Sequence, residues 1–109
     1  RANAPLLERA LVNLIENAFL YGGDAVSVCV SVRIEQGLLI IVSDDGPGIA
    51  FDHLDRIFER FYRVERDSRI PGSGLGLAIV KHIVQAHGGC VSVSSEVGYG
   101  TMFTVQIPL

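Results

Sequence analysis

The sequence predicts an α+β two-layer sandwich, with helices packed on one face of a mixed or antiparallel sheet. Three observations carry this. Two long stretches place apolar residues at helical spacing. Other stretches show the short or alternating apolar runs of strands. Glycine pairs and turn formers separate them. The resulting order is α-β-β-(α)-loop-α-β-β, unlike the strict βαβα alternation of a doubly wound fold.

Pro5 to Tyr21 reads as the first helix. Pro5 suits a first turn, and Asn3 or Ala4 lies where a cap would sit. Leu7, Leu11, Leu14 and Ala18 form its expected buried stripe, and Gly22-Gly23 ends it. Ala25 to Ile34 alternates in part and reads as a strand. Leu38 to Val42 reads as a second strand, joined to the first in a hairpin by Gln36-Gly37. Phe51 to Phe61 has weak helical character. Val64 to Ser73 is polar and reads as a loop. Leu75 to His87 is a helix with Leu75, Ile79, Val80, Ile83 and Val84 spaced for a core, stopped by Gly88-Gly89. Val91 to Ser95 and Thr101 to Pro108 form a final antiparallel pair.

With 109 residues, the chain is expected to be one domain with one core. Its 49% apolar and 19% charged residues favour a packed globule over disorder. The net charge of −3 and the lack of a basic run argue against nucleic acid as a partner. No apolar run reaches the ~18 residues of a membrane span. The chain is therefore expected to make no direct membrane contact. The start at Arg1 without an initiator Met suggests a fragment of a longer protein. Cys29 and Cys90 lie in β-like runs and read as small buried hydrophobes. Their number and spacing suit a reducing compartment and no zinc site.

Chemistry concentrates in four segments. In the first helix, Asn13, Asn17 and Tyr21 follow one another at four-residue steps. Each step advances only ~40° around a helix, so all three share one side. An Asn side-chain oxygen is a hard ligand that suits Mg²⁺, which takes its other contacts from phosphates and water. The second segment, Asp44-Asp45-Gly46-Pro47-Gly48-Ile49, leads out of a buried strand. An ordinary turn would need no pair of acids there. Asp44, still on the strand, would be a fixed acceptor for the exocyclic amino group of adenine, with Asp45 exposed. The third, Gly72-Ser73-Gly74-Leu75-Gly76-Leu77, leads from a loop into a helix, whose N-terminal N–H groups and dipole favour phosphate. It has neither the Rossmann spacing nor the Walker A lysine. The fourth is the Gly98-Tyr99-Gly100-Thr101 turn. Together they describe a pocket for a purine nucleotide and Mg²⁺.

Asn13 to Tyr21, Asp44 to Ile49, Ile57 to Arg63, Gly72 to Val80 and Gly98 to Phe103 resemble, in order, the asparagine box, the first glycine box, the phenylalanine box and the second and third glycine boxes of bacterial sensor histidine kinases. The resemblance spans nearly the whole chain. It implies the catalytic ATP-binding domain, with the Bergerat fold of the GHKL superfamily and a mixed, mostly antiparallel sheet. It further implies that Asn17 coordinates Mg²⁺ and that Asn13 approaches the phosphates or the metal. Tyr21 would flank adenine, and Asp44 would bind its amino group. Gly46 and Gly48 would leave room for the base beside Ile49. Gly72, Ser73, Gly74, Leu75, Gly76 and Leu77 would hinge a lid and meet the phosphates. Phe58 and Phe61 would anchor that lid, Arg63 would contact phosphate, and Thr101 would lie close to the purine. Two features depart from the family pattern: Leu20 stands where many members carry Lys or Arg, and the Val64–Ser73 lid is short. They shift a phosphate contact to Arg63 or Arg60.

The resemblance implies a protein histidine kinase domain that binds ATP and Mg²⁺, releases ADP and serves two-component signalling. Its partners would be the dimerisation and phosphotransfer domain of a dimeric parent kinase and a cognate response regulator. The domain would be cytoplasmic, with a parent anchored in the inner or plasma membrane. GHKL ATPases and serine kinases usually carry Glu four residues before the metal-binding Asn. Asn13 stands there instead and cannot act as a base, so little hydrolysis is expected. His53, His82 and His87 lack the family's phosphoacceptor setting, so this fragment should not phosphorylate itself. A different class stays open: a degenerate nucleotide-binding or interaction domain, with Phe51, Phe58 and Phe61 as anchors for a neighbour rather than as core.

Overall fold

In the computed structural model, the described residues are 3–22, 26–34, 36–59 and 76–108. The elements follow the order α1 (Ala4–Gly22), β1 (Val28–Ile34), β2 (Gly37–Asp44), α2 (Phe51–Leu54), α3 (Gly76–Ala86), β3 (Cys90–Glu96) and β4 (Gly100–Pro108). The four strands form one sheet in the order β1-β2-β4-β3. Every pairing among them is antiparallel.

Helix α1 begins where Asn3 caps it. The Asn3 Oδ1 accepts the Leu6 N–H at 3.1 Å, satisfying one of the helix's orphan donors. Its buried line is Ala10, Leu14 and Ala18, while Leu7 and Leu11 are half-buried against the core. The expected leucine stripe is thus rotated toward Ala10, whose small side chain lets the helix lie close to its neighbours. Helix α3 buries Val80, Ile83 and Val84. It ends in a Schellman motif: Gly89 N–H donates to the Val84 carbonyl and Gly88 N–H to the Gln85 carbonyl, both at 3.0 Å. The His87 ring ties this end to the start of α1. Its Nδ1 lies 2.8 Å from the Ile83 carbonyl, and its Nε2 accepts the Asn3 N–H at 3.0 Å. Both contacts are satisfied by the neutral tautomer with the proton on Nδ1.

The helices cover one face of the sheet. On that inner face β4 presents Thr101, Phe103, Val105 and Ile107, all buried. Ile40 and Val42 of β2 join them. Phe103 is fully enclosed, and the Phe58 ring meets it edge-on at 6.0 Å. Burying a side chain of this size stabilises the fold by roughly 1.5–3 kcal/mol.

Several expectations need correction. Cys29 and Cys90 are exposed, not buried. Both sit on the outward phase of their strands, opposite Ser43 and Gln106, away from the face that the described helices cover. Strand β1 starts at Val28 rather than Ala25, and Val30, Val32 and Ile34 on its inner phase remain exposed at the sheet edge. Of the weakly helical stretch Phe51 to Phe61, the described residues 51–59 hold only the single turn of α2, and Phe51 there is 84% exposed. Among the described residues, no helix is long and apolar enough to cross a membrane.

Candidate functional site

Three neighbouring strands, β2, β4 and β3, are apolar along their inward phase until one end, where a polar residue takes over. In β2 the series Leu38, Ile40, Val42 ends in Asp44. In β4, Thr101 precedes Phe103, Val105 and Ile107. In β3, Val91 and Val93 are followed by Ser95. Pairing brings these three ends together, because Asp44 faces Thr101 and Thr101 faces Ser95. Asp44, Thr101 and Ser95 thus form one polar row across the helix-covered face. None is more than partly exposed, so the row is desolvated enough for its polar groups to matter.

The turns beside the row are locked together. Asp44 Oδ1 accepts the Gly46 N–H at 2.9 Å, which leaves its second oxygen without a partner among the described residues. Asp45 is exposed, as expected, and its Oδ1 takes the Ser27 N–H at 2.7 Å. The Ile49 N–H donates to Ser95 Oγ at 2.7 Å, and Gly98 N–H to the Pro47 carbonyl at 2.8 Å. Gly48 has φ +81°, and a Cβ there would run into the Glu96 carbonyl. Gly100 has φ +136°, and a Cβ there would strike the Asp44 carbonyl. Both glycines therefore serve the close approach of backbone to backbone. For Gly48 this constraint stands beside the expected room for a base.

Helix α1 contributes amides. Asn13 and Asn17 are half-buried, each one position before a buried residue (Leu14, Ala18) and so ~100° around the helix from it. The Asn13 Nδ2 is buried with no hydrogen-bond partner among the described residues. An orphaned buried amide is costly, by roughly 1–3 kcal/mol, unless something fills it. As placed, it would donate to a phosphate oxygen; turned over, it would offer its oxygen to a cation. No three His, Cys, Asp or Glu residues gather into a metal cluster among the described residues. A cation here would therefore depend on amide oxygens, phosphates and water, the preference of Mg²⁺.

The remaining expected site residues divide in two. Gly76 opens α3 and is exposed, and Leu77 is half-buried against the core. Ile49 is half-buried and also packs on the core. Tyr21 lies in the last turn of α1, but its side chain is outside the described residues, as are Arg60, Phe61, Arg63, Gly72, Ser73, Gly74 and Leu75. Ser95 is the residue that sequence reasoning missed. A hydroxyl in the inward phase of Val91-x-Val93-x-Ser95 was its signal.

Residues 2–109 match the family model described as histidine kinase-, DNA gyrase B-, and HSP90-like ATPase. The sensor-like histidine kinase SenX3 of Mycolicibacterium smegmatis is 44% identical over 94% of this chain and 28% of its own length. Among solved structures, the mycobacterial sensor histidine kinase MprB superposes with a TM-score of 0.86 at 34% identity, covering 98% of this chain and 74% of that one. Full-length ShkA in complex with AMPPNP superposes with a TM-score of 0.83 at 35% identity, covering 94% of this chain and 21% of that one. The chain thus spans well under two thirds of the SenX3 relative.

Proposed function

The chain belongs to the family of histidine kinase-, DNA gyrase B- and HSP90-like ATPases, and from that premise we propose that it binds Mg-ATP and presents the γ-phosphate to a histidine on a separate dimerisation domain. The observation that carries this reading is the polar row. A carboxylate oxygen with no partner among the described residues and a buried hydroxyl sit side by side at the end of an otherwise apolar face. An acceptor-only carboxylate selects a base with an amino group, so Asp44 takes adenine, with Thr101 beside it and Tyr21 flanking the ring.

The amides of α1 face the other end of the ligand. Asn17 holds Mg²⁺, and Asn13, whose buried amide lacks a partner among the described residues, takes the metal or a phosphate oxygen. When bound, the ion neutralises charge on the phosphates. The start of α3 at Gly76 offers N–H groups and a positive dipole end to the same phosphates. Gly72 to Leu75 and Arg63 complete the phosphate cover. Phe58, half-buried on Phe103, anchors the segment that follows it.

Asn13 has no basic lone pair with which to activate water, so hydrolysis is slow and alignment dominates. His87 uses both ring nitrogens in structural contacts, which removes it as an acceptor. The acceptor imidazole comes from the dimerisation domain of a dimeric, membrane-anchored parent, with this domain in the cytoplasm. There its ring nitrogen attacks the γ-phosphorus, the bond to the bridging oxygen breaks and ADP leaves. The phosphoryl group then passes to a response regulator.

A thermal-shift panel tests the proposal. Because ligand binds only the native form, ATP and ADP raise the melting temperature, and GTP raises it less. Equal shifts contradict the adenine reading. Adding a dimerisation domain with its histidine then yields phosphohistidine; failure of that step alone leaves a nucleotide binder without kinase function.

A further inference from the structure

Ser95 holds a position in the polar row that no recognised motif explains. Its Oγ makes three contacts at once: the Ile49 N–H at 2.7 Å, the Gly100 carbonyl at 3.0 Å and the Thr101 hydroxyl at 2.8 Å. A serine hydroxyl has one proton and two lone pairs. The Ile49 amide can only donate, so it occupies one lone pair. The Gly100 carbonyl can only accept, so it takes the one proton. The Thr101 contact is then satisfied in a single way, with Thr101 donating to the second lone pair of Ser95. Reversing it would leave the Gly100 carbonyl facing a bare oxygen at 3.0 Å.

This assignment has a consequence for the cleft. The Thr101 proton points into β3, so what remains on its oxygen is acceptor capacity only. Thr101 faces Asp44 across the pair of strands, and the second oxygen of Asp44 also only accepts. The end of the inner face is therefore an acceptor-only wall. It attracts an amino group and repels a carbonyl in the same place.

We propose that Ser95 is a positioning residue that sets base preference, fixing the Thr101 hydroxyl as an acceptor toward the six-position of the purine. This rests on the reading that the cleft takes adenine. Without Ser95, the Thr101 hydroxyl is free to rotate and donate, and a six-carbonyl base is no longer rejected by it.

The experiment compares ADP with inosine diphosphate, which carries a carbonyl where ADP has the amino group. Calorimetric affinities for both are measured on the chain, on Ser95→Ala and on Ser95→Thr. Ser95→Ala is expected to reduce the preference for ADP by about threefold to tenfold, the size of one ordinary hydrogen bond. Ser95→Thr, which keeps the hydroxyl, is expected to restore it. If Ser95→Ala does not fold, Ser95→Cys replaces it, being close in size but a weak donor and acceptor, with the same expectation. A variant that weakens both nucleotides by one common factor makes Ser95 merely structural and overturns the proposal. So does a preference that stays at the unsubstituted value. If the unsubstituted chain itself shows no preference for ADP, the adenine reading falls and this proposal falls with it.

Discussion

Asp44→Asn changes one atom at the end of β2, and the structure says what that does. Asp44 uses Oδ1 to accept the Gly46 N–H at 2.9 Å, leaving Oδ2 without a partner among the described residues and, in the proposed reading, open to the adenine amino group. In the variant, the amide must choose. If its oxygen keeps the Gly46 contact, an NH₂ group faces the base and meets another donor. If the amide turns over, the Gly46 N–H loses its acceptor in a buried turn. Either way a hydrogen bond to a charged group is lost, a term of ~1.5–3 kcal/mol. That is roughly a 10- to 150-fold rise in the dissociation constant for ADP. The first arrangement also creates a donor for a six-carbonyl, so inosine diphosphate should lose less than ADP, or gain. Calorimetric titration of both nucleotides measures this, with the melting temperature of the ligand-free variant as a control on folding. Unchanged ADP affinity in a folded variant removes Asp44 from the site and refutes the reasoning.

Asn17→Ala should abolish the dependence of ATP binding on magnesium, seen as coinciding titrations with and without the ion; a retained difference places the metal elsewhere. Gly100→Ala forces an alanine to φ +136° and drives its Cβ into the Asp44 carbonyl. The backbone conformation alone costs roughly 1–3 kcal/mol, so the urea midpoint should fall, and ADP affinity with it because Asp44 is displaced. His87→Ala removes the contact from the Asn3 N–H that joins the start of α1 to the end of α3, together with the ring's contact to the Ile83 carbonyl within that end. A loss of ~1–2 kcal/mol is expected in thermal denaturation; an unshifted curve would make that bridge irrelevant to stability.

Much of this architecture could be read from spacing. The glycine pair after α3 marks its end because Gly88 and Gly89 build the closing motif there. Asp44 stands out because an acid ends a run of apolar residues, and a strand has to take that acid either to solvent or to a purpose. The misreadings share one cause. Residue type points to burial for Cys29 and Cys90, while burial depends on which face the helices cover and how far they reach. Size favours Leu7 and Leu11 over Ala10, yet position on the helix decides contact, and Ala10 is the buried one. At Gly48 and Gly100 the nearest atoms to a hypothetical Cβ belong to Glu96 and Asp44 of the same chain, a constraint that spacing does not show. Ser95 escaped notice because its role exists only once three strands are in register.

Crystals of the chain grown with ADP and Mg²⁺ test the central claim most directly. The account predicts the adenine amino group within hydrogen-bond distance of the Asp44 carboxylate, with the phosphates reaching toward Asn13 and Asn17. Density for the base anywhere other than beside the Asp44–Thr101 pair would contradict it.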